Sequence, residues 1–263
     1  MADRLQHQNS TTRNGPAPPV EFIAACALAF AASLVATAHF CRSMCCEMKM
    51  PGGWTMSMMW MRMPGRTWFE SALSFQLMWL AMMIAMMLPS ALPTFLKQKR
   101  TPTSLSVIAT GYFAVWLAVG VGIYALGVAF AAAAMRWETF SRIVPALSGA
   151  ALVAAGAFQF TRWKKTGLFG CRSPFGCIGA CAKRETNVRL GCKQGAACCL
   201  CCAAPTLMLV VLGMMNPLVI IGVAIVIAAE KLLPRPTIIA RIVGVSTIIM
   251  GIVMICAIVL RSN

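Results

Sequence analysis

Long apolar runs broken by short polar segments dominate this chain. They cover roughly 22–40, 68–96, 105–135, 144–160, 194–212, 218–229 and 238–260. About 20 consecutive apolar residues cross the hydrocarbon core of a bilayer as a helix. The pattern predicts an all-α fold, a polytopic transmembrane helix bundle of about seven spans. Residues 1–20, rich in Gln, Asn, Thr and Pro, predict a disordered cytoplasmic tail, and 21–263 a helical membrane domain. Pro89 and Pro93 should bend the end of the second run. Gly111, Gly120, Gly122 and Gly127 in the third allow neighbouring helices to come close. The sequence Gly213-Met214-Met215-Asn216-Pro217 should break the helix, with Asn216 as N-cap and Pro217 as first helical residue of a short sixth span. That span ends at Glu230-Lys231, and the reading favoured for Glu230 is an interfacial helix end. Glu70 reads as a structural acid at the start of the second helix.

The net charge of +16 would suit nucleic acid, but the basic residues lie in short segments between apolar runs, so no nucleic-acid partner is expected. The expected partner is the lipid bilayer. Sixteen Lys and Arg fall on one set of connections and seven on the other. Positive charge favours the cytoplasmic side. The N-terminus is therefore expected in the cytoplasm and the C-terminus outside. A Met-rich loop, 41–67, would face outward and a basic, Cys-rich loop, 162–193, inward.

The 13 Cys and 20 Met change the picture from a generic membrane protein to one with soft-ligand chemistry. Four thiols, Cys198, Cys199, Cys201 and Cys202, fall within five residues at the start of an apolar run. On a helix, Cys198 shares a face with Cys201 and Cys199 with Cys202, giving two overlapping C-x-x-C pairs. Thiolates select Cu(I), zinc and iron–sulfur clusters. Cys171, Cys177 and Cys181 add thiols on the expected inner side, where they stay reduced. On the expected outer side, Met56 and Met58 stand among eight Met, and a thioether stays a Cu(I) ligand where thiols oxidise. Met anchoring in lipid is the alternative there. Met78, Met82 and Met86 form a helical stripe in the second run, with Met83 and Met87 beside them. Pliable packing is the usual role of such a stripe. Cys45 and Cys46 are a ligand pair or disulfide partners of Cys41, and the spacing leaves both open. His39 near Cys41 is balanced between ligand and interfacial hydrogen-bonding residue. Cys26 and Cys256 read as packing residues.

Three stretches together resemble a bacterial family of predicted metal-binding integral membrane proteins, often described as copper chaperones. They are Met78-Trp79-Leu80-Ala81-Met82-Met83-Ile84-Ala85-Met86-Met87-Leu88-Pro89 with Pro93; Lys165 through Cys171-Arg172-Ser173-Pro174 to Gly191, Gly195 and the Cys cluster; and Gly213-Met214-Met215-Asn216 with Glu230-Lys231. The family pattern has C-L-G-C-C followed by Trp, whereas Cys198-Cys199-Leu200-Cys201-Cys202-Ala203 carries an added Cys and lacks the Trp. The resemblance implies a helical fold and metal binding.

The leading expectation is a Cu(I)-binding importer or membrane-bound copper chaperone, with a soluble copper chaperone or copper enzyme as partner. Zinc is a second candidate metal. The competing readings are a membrane thiol–disulfide oxidoreductase, since a C-x-x-C pair can cycle between dithiol and disulfide, and an assembly factor for a copper enzyme. No G-x-x-x-x-G-K occurs, so pumping by ATP would need a partner.

Overall fold

A computed structural model describes residues 20–43, 47–62, 65–98, 100–172 and 186–262. Among them run eight α-helices and one hairpin: α1 Val20–Ser43, β1 Glu47–Met50, β2 Trp54–Ser57, α2 Trp68–Leu96, α3 Pro102–Arg136, α4 Glu138–Phe158, α5 Arg162–Arg172, α6 Asn187–Leu212, α7 Pro217–Leu232 and α8 Pro236–Ser262. The all-α bundle expected from the apolar runs is what forms. The 1–20 tail, Cys45, Cys46, Cys177 and Cys181 lie outside the described residues, apart from Val20, which opens α1.

Among the described residues, six helices, α1, α2, α3, α4, α6 and α8, are long and apolar enough to cross a membrane. Large apolar side chains such as Leu28, Val35, Leu126, Ile225 and Leu260 point away from the protein. That surface is compatible with a lipid environment. The seventh expected span is α7, and it differs. Its 16 residues reach roughly 24 Å, short of the about 30 Å of a hydrocarbon core. Lys231, near its end, touches Cys198 in the middle of α6, so α7 folds back along α6. The region read as a loop, 162–193, is also largely helical where described: α5 fills its start and α6 begins at Asn187.

Local chemistry explains the element ends. Thr67 and Glu70 form a reciprocal capping box: Glu70 N donates to Thr67 Oγ1 at 3.2 Å, and Thr67 N to Glu70 Oε2 at 2.8 Å. Gly213, at φ 110°, ends α6 in a conformation that favours glycine. Asn216 Oδ1 then accepts from Leu218 N at 3.0 Å, with Pro217 in the first turn of α7, as the sequence predicts.

Glycines allow the closest helix contacts. A Cβ on Gly111 of α3 would come 2.6 Å from the carbonyl of Val188 on α6. One on Gly156 of α4 would come 2.6 Å from the carbonyl of Gly244 on α8. The main core is built around Trp79, Trp116, Phe75, Phe95 and the α2 methionines, all buried. The 41–67 region is not an open loop. Its hairpin pairs Met48 with Met56, turns at Gly52 and Gly53, and docks on the start of α4, where Ser141 Oγ donates to the Pro51 carbonyl at 2.9 Å.

Candidate metal-binding thiol centre

The cysteine run falls where α6 changes from a polar first half, with Arg189 and Lys193, to an apolar second half. The contacting pair is not the three-residue spacing expected from the sequence. Cys198 and Cys202, four apart on one helix face, bring their Sγ atoms to 3.9 Å. Both are fully buried. Four other elements converge on Cys198. Tyr112 of α3 donates its hydroxyl to Cys198 Sγ at 2.8 Å. Met87 of α2 places Sδ 3.9 Å from the same sulfur. Lys231 of α7 donates Nζ to Cys198 Sγ at 3.0 Å, and also reaches Met87 Sδ at 3.5 Å and Ser90 Oγ at 3.3 Å. Cys171, at the end of α5, hydrogen-bonds with Cys198 and Cys201; those bonds, and then burial, hold its thiol well above the ordinary thiol range.

A buried ion pair adjoins the thiols. Lys164 of α5 meets Glu230 of α7 at 2.6 Å, each side chain only 1% exposed. Gln159 Nε2 donates to the other carboxylate oxygen of Glu230 at 3.1 Å. Lys164 also donates to the Cys201 carbonyl at 2.6 Å. Pro205 explains that third contact. It lies four residues after Cys201 inside α6 and has no N–H, so the Cys201 carbonyl loses its intrahelical donor. Lys164 takes the place of that donor, as neighbouring groups do around prolines in apolar helices. The interfacial reading of Glu230 is therefore corrected. The acid turns inward because a lysine on another helix needs it, a need invisible along the chain.

A metal fits this donor set in chemistry and in span. Two sulfurs on one tetrahedral ion, with bonds of about 2.3 Å as for zinc, stand about 3.8 Å apart. Cys198–Cys202 and Cys198–Met87 both match that edge at 3.9 Å. Among the described residues, no group of three or more His, Cys, Asp and Glu is arranged to hold an ion. The set as folded is a thiol pair with a thioether.

The other candidate residues separate. Cys201 is buried beside Cys171, while Cys199 is only half-buried at the edge of the core. Met78, Met82 and Met86 are buried in the central core of α2, and their neighbour Met87 is the one that meets a thiol. Met56 is buried in a small second core with Met50, Ala131 and Ala134. Met58 lines a shallow pocket with Met59, Met61 and Arg66. His39 is exposed, its ring against Phe40. Sequence reasoning missed Lys231, Lys164 and Tyr112 as members of the centre. The available signal was a Glu-Lys pair closing an apolar run, because charges in such runs are expensive to bury without a role.

A helical bundle with six membrane-length helices among the described residues, and a buried centre of thiols, a thioether and two lysines, defines a membrane-type protein with soft donors gathered in its core. The chain belongs to the PpoB2 family, described as copper chaperone, whose model matches residues 76–254. The match covers the α2 methionines, all of the thiol centre and Lys231, and begins after the hairpin. No curated protein and no solved structure matches the chain.

Proposed function

We propose that the protein binds Cu(I) within a bacterial inner membrane, as a membrane-bound copper chaperone or importer, with its N-terminus in the cytoplasm. The observation that supports this best is the buried sulfur set of Cys198, Cys202 and Met87 in a member of a copper-chaperone family. Soft thiolate and thioether donors favour Cu(I) over hard cations. Cys198 and Cys202 would hold the ion, Met87 would supply the thioether, and Cys171 and Cys201 are near enough to exchange into the set. The stripe Met78, Met82, Met86 leads along α2 towards Met87 and would guide the ion. Met58, with Met59 and Met61, would meet it at the far end. The partner would be a soluble copper carrier or a copper enzyme.

The test is a titration of purified, reduced full-length protein with Cu(I) and, in parallel, Zn(II), each against a competing chelator. Replacing Cys198 and Cys202 together by Ser should weaken Cu(I) binding at least a hundredfold. Replacing Cys26 and Cys256 should change nothing, since neither lies in the centre. Unchanged Cu(I) affinity in the double Ser variant would remove the thiol pair as the metal site. Thiol–disulfide exchange would then be the better account of these cysteines.

A further inference from the structure

Lys231 is the one residue of the centre whose charge the proposed metal binding leaves unexplained. Its Nζ is surrounded by Cys198 Sγ at 3.0 Å, Ser90 Oγ at 3.3 Å and Met87 Sδ at 3.5 Å, and the side chain is 6% exposed. None of these contacts is a carboxylate. The adjacent acid, Glu230, is committed to Lys164 at 2.6 Å, and that pair is neutral by itself. Arg172 is turned away to the carbonyl of Leu233 at 2.7 Å. The cation of Lys231 therefore faces sulfur.

We infer that Lys231 sets the charge of the ion this centre accepts, selecting a monovalent soft metal over a divalent one. The inference rests on Cys198 and Cys202 being the metal-binding pair. Two thiolates carry two negative charges, and Lys231 offsets one. A monovalent ion offsets the other, so the buried assembly is neutral. A divalent ion leaves one positive charge uncompensated among apolar helices, where an unpaired charge is strongly disfavoured. Met87, Tyr112 and Ser90 are neutral, and Cys171 and Cys201 enter the count as protonated thiols outside the binding pair, so the sum is unaltered. Lys231 acts here as a specificity residue beside the metal and need not bind it.

The experiment compares Lys231→Met, similar in length but uncharged, with Lys231→Arg, which keeps the charge. Each is titrated with Cu(I) and Zn(II) as reduced, full-length protein in detergent. Lys231→Met should lose at least tenfold in Cu(I) affinity while its Zn(II) affinity holds or rises. Lys231→Arg should keep most of the preference for Cu(I). Lys231→Gln, which retains a donor without charge, should follow Lys231→Met, and serves if the Met variant does not fold. Equal loss for both ions, or no change for either, in variants that elute and melt like the parent would overturn the role of Lys231 and leave the copper site standing. A parent protein that binds neither ion would instead overturn the copper reading, and the selection by Lys231 with it.

Discussion

The ion pair between Lys164 and Glu230 shows how much one residue can depend on a distant one. Each alone would be a charge buried among apolar side chains. Together, with Gln159 on the carboxylate and the Cys201 carbonyl on the ammonium, they are satisfied. Breaking a buried pair by removing one partner typically costs about 3–5 kcal/mol, because the survivor is left uncompensated. Glu230→Gln should therefore lower the melting temperature in detergent clearly. Adding Lys164→Met to it should recover part of the loss, since the unpaired ammonium is gone, although the Cys201 carbonyl then lacks its donor. A double variant no more stable than the single one would mean that the charge itself is not what is felt at this position.

Two prolines inside helices are tolerated by borrowing hydrogen bonds from other elements. Pro205 frees the Cys201 carbonyl, which Lys164 satisfies. Pro145 in α4 does the same to the Ser141 carbonyl four residues before it, and Trp54 of the hairpin donates Nε1 to that oxygen at 2.9 Å. The hairpin is thus joined to the bundle by a bond that exists because of a proline. Trp54→Phe should destabilise the protein by about 1–3 kcal/mol through the orphaned carbonyl, together with some lost ring packing. Adding Pro145→Ala restores a backbone N–H four residues on, and should recover part of that loss in a thermal melt. An additive pair of effects, with no recovery, would show that the carbonyl is not the cause. The capping box at Thr67 and the break at Asn216 needed no such distant partner, and both were legible as short-range patterns.

At the scale of the molecule, α2 is the helix on which the proposed crossing is best tested. Lys49 in the hairpin and Lys97 just after α2 are exposed at its opposite ends. With the proposed orientation, a maleimide that cannot cross membranes should modify Lys49→Cys from outside intact cells. Lys97→Cys should react only after permeabilisation, with both sites read separately by mass spectrometry. Labelling of both from one side would rule out a crossing by α2. The short α7 also alters the membrane picture. It brings Glu230 and Lys231 back to the thiols, and α8 then starts from that level.

The apolar runs determined the long helices by themselves, because burying a backbone in hydrocarbon leaves few alternatives to helix, whereas the polar α5 lay in a stretch read as a loop. The soft-metal class was legible too: four thiols in five residues and a methionine-rich helix have few generic explanations, and the family match agrees with that class. The make-up of the centre was decided only by tertiary structure. Helical spacing offers Cys198 both Cys201 and Cys202 as neighbours; in the fold Cys202 meets Cys198 directly, while Cys171, brought in on α5, hydrogen-bonds with both Cys198 and Cys201. Lys231, Lys164 and Tyr112 reach the site from three other helices, at separations of 33 to 86 residues from their partners, and no local pattern carries that information. Whether a charge at the end of an apolar run meets water or another buried charge depends on which helix lies across from it, and only the folded bundle fixes that.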